Sequence, residues 1–279
     1  MEWSHTSENV ITIRMETTGQ GWRQPFLKLA DVHFDSPFCD RRLLRALLDE
    51  ALEQNAPVSI YGDWHDAMQS RNDPRRTLAE LRKEYAGVVA YGDALVEDSV
   101  EFLRPYAPIL MHISDGNHDV KMRKYLETDL LERVCNTLGV PHMGYAGFER
   151  YMFKKNTGGH KSSKLLFFHH GKEGGVVSKG TQRSARWQEW AVADIYVGGH
   201  VHNEWRINRP RVTVAPSGKE VVDETLHISL PTLKNEWKLK GGYSIERAMA
   251  PAAIGGAWLV FEHHPRCRNN IHVDALRAR

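Results

Sequence analysis

The chain has 279 residues, of which 41% are hydrophobic, enough to form a buried core in one large domain or two small ones. Its 37 Lys and Arg residues nearly balance 35 Asp and Glu residues, so the net charge does not create an electrostatic field that would attract nucleic acid or an anionic membrane. The three cysteines are scattered, the chain begins without a signal-peptide pattern, and no apolar run approaches the ~20 residues of a membrane span. These features favour a cytoplasmic protein with reduced thiols.

Hydrophobic patterns predict strands alternating with helices through the first two thirds of the chain, followed by a β-rich tail. Val10–Ile13 is a candidate edge strand, and Asp40 is a candidate N-cap for a helix that ends near Asn55. The other predicted helices cover residues 75–85, 94–103, 125–138 and 187–192. The other predicted strands cover residues 26–30, 58–61, 108–113, 165–168, 194–197, 211–214, 226–230 and 258–261. This order predicts an α/β fold with two sheets and helices outside them.

Five of the predicted strands run into turns that carry Asp, Asn or His side chains. The residues are Asp31, His33, Asp63, Asn117, His118, His170, His200 and His202. Carboxylates, carboxamides and neutral imidazoles bind divalent transition metals such as Mn, Fe, Zn, Co or Ni. No cysteine belongs to the set, which argues against a structural zinc site.

The spacing within these turns indicates which side chains share a site. Residues i and i+2 of an extended segment point the same way, so Asp31 and His33 would face one site together, and the His200–His202 pair would do the same. The adjacent His169 and His170 would point in opposite directions, and His170 is the better ligand because it adjoins a glycine turn. So many ligands suit two metal ions that share a carboxylate, an arrangement that promotes in-line phosphoryl displacement.

Five short motifs, in order, resemble the conserved blocks of the calcineurin-like metallophosphoesterases. They are Asp-x-His at 31–33, Gly-Asp-x-x-Asp at 62–66, Gly-Asn-His-Asp at 116–119, His-Gly at 170–171 and Gly-His-x-His at 199–202. The resemblance covers residues 27–202 and implies a four-layer α/β/β/α sandwich of two mixed sheets flanked by helices. We therefore expect a single domain over residues 1–279, with a motif-bearing core at about residues 25–262.

The resemblance also implies a role for each matched residue. Asp31, His33 and His202 would hold one metal ion, and Asn117, His170 and His200 would hold the second. Asp63 would bridge the two ions, His118 would protonate the leaving oxygen as a general acid, and Asp66 would orient His118. The implied reaction is phosphoester hydrolysis by in-line attack of a metal-bridging hydroxide, with Mn the favoured metal.

The substrate class is less constrained by the sequence. A phosphodiester is favoured over a phosphoprotein, because the chain has no long insertion for a protein substrate, and no obligatory protein partner is expected. The stretch 33–38 resembles DNA-repair exonucleases, so a nuclease acting on DNA ends or single strands is an alternative to an enzyme for nucleotides or small diesters. Residues 39–42, 68–69 and 73–75 resemble short phage and bacterial phosphoesterases. A non-catalytic scaffold that keeps this fold is the rival from another class.

Several residues outside the metal set receive other interpretations. His112 is predicted to be a satisfied core histidine, and His65 to lie in a surface loop. Trp64 and His65 would lie near the substrate entrance, where Lys172 could also contact an anionic substrate. The two tryptophans of the 187–192 helix are predicted to pack in the fold. The C-terminal His263, His264, Cys267 and His272 lack paired ligand spacing, which disfavours a further metal site there.

Overall fold

The computed structural model describes residues 1–69, 73, 81–155, 161–172, 178–214, 217–238, 243–246, 248–265, 267 and 271–279. In this part of the chain the strands are β1 (Glu2–Ser7), β2 (Val10–Thr17), β3 (Arg23–Leu29), β4 (Val58–Tyr61), β5 (Leu110–Ser114), β6 (His142–Met143), β7 (Ala146–Lys155), β8 (Lys161–His169), β9 (Ile195–Gly198), β10 (Trp205–Val214), β11 (Glu220–Ser229), β12 (Gly256–His263) and β13 (Ile271–Ala278). The α-helices are α1 (Arg41–Glu53), α2 (Tyr91–Leu103), α3 (Asn117–Leu126), α4 (Leu130–Leu138), α5 (Arg183–Trp190) and α6 (Tyr243–Glu246). None of the helices in this described part has the length and apolar character to cross a membrane.

The described strands form two mixed sheets. Sheet I has the order β13-β12-β3-β4-β5-β6, with parallel pairing from β3 through β6. Sheet II has the order β1-β2-β7-β8-β9-β11-β10, and β8, β9 and β11 are parallel neighbours within it. Apolar side chains from both sheets fill the space between them, including the fully buried Ile13, Phe26 and Phe168.

Helices cover the outer face of each sheet. Helix α1 buries Leu44, Leu47, Leu48 and Ala51, a helical spacing that places one apolar stripe against sheet I. Helices α2 and α4 contribute to the same core, while Trp187 of α5 packs on Phe167 and Tyr196 of sheet II. The predicted four-layer α/β/β/α sandwich is confirmed.

Several predicted elements differ in their bounds. Asp40 caps α1 as predicted, because its carboxylate accepts a hydrogen bond from the Leu43 amide at 3.1 Å. The helix predicted over 125–138 is two helices, since Glu127 adopts a left-handed conformation and Asp129 caps α4. The strand predicted at the edge is internal: β2 lies between β1 and β7, and β1 forms the edge. Most of the helix predicted over 75–85 lies outside the described residues.

A charged network is buried between the two sheets, beneath the carboxyl ends of β4 and β5. Lys28 of sheet I donates to Glu149 of sheet II at 2.7 Å, and both side chains are fully buried. Neutral donors surround the same carboxylate, namely Ser59 at 2.7 Å, Tyr61 at 2.6 Å, His112 at 2.8 Å and Tyr151. His112 is buried in the core as predicted and is hydrogen-bonded through Nε2, while its Nδ1 has no hydrogen-bond partner among the described residues. This network connects the sheets close to the strand ends where the polar motifs lie.

Candidate metal centre

The predicted ligands converge where the carboxyl ends of strands from both sheets meet. Asp31, His33, Asp63 and Asn117 follow the parallel strands β3, β4 and β5 of sheet I. His170, His200 and His202 follow β8 and β9 of sheet II. Backbone hydrogen bonds join the turns that follow these strands, from the Asp31 amide to the Gly62 carbonyl at 3.1 Å and from the Gly199 amide to the His170 carbonyl at 3.0 Å. The loops are therefore held against one another, as at the binding edges of other α/β sheets.

Five of the seven predicted ligands lie in left-handed turns and not in extended strands. The φ angles are 51° for Asp31, 49° for His33, 51° for Asp63, 71° for His200 and 53° for His202. The extended geometry assumed from the i and i+2 spacing was wrong, because each residue lies past the end of its strand. A left-handed residue other than glycine costs roughly 1–2 kcal/mol, and such strain is concentrated at functional sites.

The first group of donor atoms comprises Asp31, His33 and His202. The Nε2 atoms of the two histidines lie 3.1 Å apart, and His202 Nε2 lies 3.5 Å from Asp31 Oδ1. His33 Nδ1 lies 2.9 Å from a carboxylate oxygen of Asp66. A neutral His33 therefore keeps its proton on Nδ1 and directs the Nε2 lone pair toward His202 and Asp31.

The second group comprises Asp63, Asn117, His170 and His200. Asn117 Oδ1 lies 2.6 Å from His200 Nδ1 and 3.2 Å from His170 Nε2. His170 Nε2 is also 3.2 Å from Asp63 Oδ2 and 3.9 Å from Asp31 Oδ1. The two groups thus adjoin, and His170 lies between the carboxylates of both.

Electrostatics keep the two carboxylates ionised. Burial would raise the pKa of Asp63, but His170 and His118 outweigh it and hold the pKa well below its usual range. Burial likewise opposes the ionisation of Asp31, yet His202 and His170 lower its pKa. For His170, burial lowers the pKa, but Asp63 and Asp31 outweigh this effect and raise it to about 9. Burial and the neighbouring His170 lower the pKa of His200 to about 4.

The donor set fits a pair of divalent metal ions. Imidazole nitrogens and oxygen acceptors face one another at short distances in each group, and a cation between them would relieve the repulsion of their lone pairs. Glycines make room for this approach: a Cβ on Gly62 would overlap His170 Nδ1, and a Cβ on Gly199 would overlap the Asp31 carboxylate. Asp31, His33 and His202 could hold one ion, and Asp63, Asn117, His170 and His200 could hold the other.

His118 and Asp66 lie beside the metal-ligand groups. His118 Nδ1 lies 2.9 Å from the backbone carbonyl oxygen of Asp66 and 3.3 Å from its carboxylate. The Asp66 carboxylate is closer to His33 than to His118, so it contacts both imidazoles. The His118 amide donates to Asp63 Oδ1 at 2.8 Å, which ties the start of α3 to the Asp63 carboxylate.

Trp64 and His65 are buried in the helix-covered core. Trp64 stacks on Phe34 with ring centroids 4.9 Å apart, and its Nε1 donates to Ser99 of α2 at 3.0 Å. His65 is fully buried, and its Nε2 lies 2.9 Å from the same Ser99 hydroxyl. The prediction that His65 lies in a surface loop was wrong, because the chain turns inward beneath α2 directly after Asp63.

Two residues that the sequence did not indicate, Asp35 and Lys234, hold the loop that contains Asp66. Asp35 accepts hydrogen bonds from the Asp66 amide at 2.6 Å and the Ala67 amide at 2.8 Å. Lys234, from the β-rich tail, donates to the Asp66 carboxylate at 3.0 Å. Asp35 lies within the first motif stretch and could have been considered there, whereas no local pattern marks Lys234.

Other sequence candidates lie away from the metal centre or differ from expectation. Trp187 is buried as predicted, but Trp190 is 59% exposed, and Lys172 is exposed. The Cys267 sulfur lies 3.6 Å from His264 Nδ1 and 3.7 Å from His272 Nδ1. These three do not form one of the compact ligand groups found among the described residues.

The chain has distant structural neighbours among solved proteins and matches one protein-family model. No curated protein matches the chain. Among solved structures it is similar to GAP50 of Plasmodium, titled the anchor in the inner membrane complex, with 12% identity, a TM-score of 0.47, and 91% of this chain and 84% of that chain covered. It is also similar to Vps29 of Entamoeba histolytica complexed with Zn²⁺, with 10% identity, a TM-score of 0.39 and coverage of 91% and 99%. A predicted phosphoesterase of Streptococcus pneumoniae has 12% identity, a TM-score of 0.36 and coverage of 92% and 90%. The family model for the calcineurin-like phosphoesterases matches residues 25–204, which include every predicted ligand, and the chain therefore belongs to that family.

Proposed function

We propose that this chain is a binuclear metal-dependent phosphoesterase with a preference for phosphodiesters. The observation that carries the proposal is the junction of the two donor groups at His170, an imidazole from sheet II that lies close to Asp31 of the first group and Asp63 of the second, both from sheet I. The packing of the fold does not explain why four imidazoles, two carboxylates and an amide oxygen are directed at one another. Manganese is the proposed metal, since mixed oxygen and imidazole ligands accept it.

Asp31, His33 and His202 would hold one ion, Asn117, His170 and His200 the other, and Asp63 both. When bound, two divalent ions lower the pKa of a water and stabilise charge on the phosphoryl oxygens.

His118 is the residue best placed to move a proton. Its ring is 16% exposed, in contrast to the buried His33 beside it, and the two rings are perpendicular with centroids 5.0 Å apart. Nδ1 donates to the Asp66 carbonyl oxygen, which fixes the ring and leaves Nε2 as the atom that carries a transferable proton. In the imidazolium form, His118 would protonate the leaving oxygen from Nε2.

The preference for diesters rests on the family resemblance of the sequence and on its composition. A nuclease is the second candidate, favoured by the likeness of residues 33–38 to DNA-repair exonucleases, whereas the near-balanced charge favours a smaller substrate. A substrate panel with Mn²⁺ separates the two: bis(p-nitrophenyl) phosphate, cyclic nucleotides, mononucleotides, and single- and double-stranded DNA. We expect hydrolysis of the small diesters. Hydrolysis of monoesters alone would contradict the proposed preference for diesters. Hydrolysis of DNA without hydrolysis of the small diesters would favour the nuclease.

The matched control is Asp63→Asn, which keeps the size of the side chain but removes the shared charge. We expect this variant to lose at least about 100-fold in activity, in line with the loss of one central electrostatic interaction in other enzymes. If wild type and Asp63→Asn were equally inactive toward every phosphoester with metal present, the chain would be a scaffold and not an enzyme.

A further inference from the structure

The segment 232–235 connects the β-rich tail to the metal centre. The Thr232 hydroxyl donates to the Asp31 carbonyl oxygen at 2.7 Å, and the Leu233 amide donates to the same oxygen at 3.1 Å. On its other side, the Asn235 amide donates to the Phe38 carbonyl oxygen at 2.8 Å. These bonds clamp the segment between the first metal-ligand turn and the loop before α1, so the direction of the intervening side chain is fixed.

The intervening residue is Lys234, and its ammonium is buried. The side chain is 9% exposed, and Nζ lies 3.0 Å from Asp66 Oδ2 and 3.7 Å from Glu236 Oε1. A lysine is rarely buried unless its charge is paired, and here two carboxylates face it. With its charge paired inside the protein, Lys234 is unsuited to bind a substrate phosphate directly.

The two oxygens of Asp66 have separate partners. Oδ2 accepts from Lys234, while Oδ1 lies 2.9 Å from His33 Nδ1 and 3.3 Å from His118 Nδ1. The χ2 torsion of an aspartate is soft, so a carboxylate held at one oxygen can still rotate. An ammonium at Oδ2 sets the plane of the carboxylate and so directs Oδ1 at both imidazoles.

We propose that Lys234 is a positioning residue that acts on the metal centre through Asp66. It locks the carboxylate that holds the proton of His33 on Nδ1, and His33 Nε2 then stays directed toward Asp31 and His202. Because Asp66 Oδ1 also contacts His118, a fixed Asp66 carboxylate limits the movement of the His118 ring. This inference rests on the proposed function for its catalytic consequence, but its consequence for metal binding does not require activity.

The test compares Lys234→Met, which removes the charge, with Lys234→Arg, which keeps it. Lys219→Met on an exposed loop is the control for loss of a lysine. Mn²⁺ affinity is measured by competition with a fluorescent chelator on protein shown to be folded by circular dichroism. We expect Lys234→Met to weaken the binding of one Mn²⁺ ion by about 10–100-fold, as for other residues that orient metal ligands. Lys234→Arg should recover most of this loss, and Lys219→Met should bind like wild type.

Kinetics provide the second readout. With saturating Mn²⁺, Lys234→Met should lower kcat for bis(p-nitrophenyl) phosphate while leaving KM within about twofold, since Lys234 does not touch the substrate. A folded Lys234→Met variant with wild-type metal affinity would overturn the inference even if its unfolding midpoint fell, since that result describes a purely structural residue. If Lys234→Met does not fold, Lys234→Gln, which keeps an N–H donor without the charge, replaces it in the same comparison. Failure of wild type to bind Mn²⁺ would instead overturn the proposed function itself.

Discussion

Replacement of Lys28 by methionine should strongly destabilise the metal-free protein. Lys28 and Glu149 form an ion pair of 2.7 Å with both side chains at 0% exposure, and the substitution leaves the carboxylate buried without this cation. Breaking one partner of a buried pair costs about 3–5 kcal/mol in other proteins. Hydrogen bonds from Ser59, Tyr61 and His112 still reach the carboxylate and keep the cost from rising further.

Equilibrium urea unfolding at pH 7, with a chelator present, measures this cost. We expect Lys28→Met to lose about 3–5 kcal/mol of the free energy of unfolding. The matched control is Arg133→Met, which breaks a surface pair whose side chains are 43% and 58% exposed, and it should cost less than about 1 kcal/mol. The double variant Lys28→Met/Glu149→Gln should be more stable than Lys28→Met alone, because it removes the unpaired charge. A loss below about 1 kcal/mol for Lys28→Met would refute this reasoning.

Three further predictions concern the metal centre and the thiols. Gly62→Ala should abolish Mn²⁺ binding in a chelator competition assay, since the new Cβ would overlap His170, whereas Gly218→Ala has a similar left-handed φ and open space and should bind normally. The metal-free protein should lose stability as the pH rises from 6.5 through about 9, because folding raises the pKa of His170 and the protonated form stabilises the fold below this window. Urea unfolding across that range should show a larger loss in wild type than in His170→Gln, which keeps only the smaller loss from Asp119, whose pKa burial raises to about 8. An identical pH dependence would contradict the prediction. Ellman's reagent should modify Cys267 alone in the native protein and all three cysteines after unfolding, since Cys39 and Cys135 are buried and Cys267 is only half-buried. Fast reaction of a second thiol in the native protein would count against this.

The part of the site that was predictable from sequence is local. Asp31 directly follows an apolar run and Asp63 follows one after Gly62, and the parallel strands β3 and β4 bring both residues to one edge of sheet I. The layers could be predicted for the same reason, because hydrophobic periodicity marks strands and helices within short windows.

The parts that escaped prediction depend on contacts between distant segments. Lys234 meets Asp66 across 168 positions, and nothing near either residue signals the pair. The burial of His65 depends on Ser99 of α2, which covers it from 34 positions away. Asp31 and His200 have a left-handed backbone in turns that lie past the strand ends, so spacing rules for extended strands could not reveal it.

If Asp63 joins the two donor groups into one centre, two Mn²⁺ ions bound to one chain will be magnetically coupled. Electron paramagnetic resonance of protein loaded with two equivalents of Mn²⁺ measures this coupling, with Asp63→Asn as the matched control. We predict the spectrum of an exchange-coupled pair for wild type and loss of the coupling, or of one ion, for Asp63→Asn. A wild-type spectrum of isolated Mn²⁺ only, unchanged by Asp63→Asn, would contradict the binuclear centre.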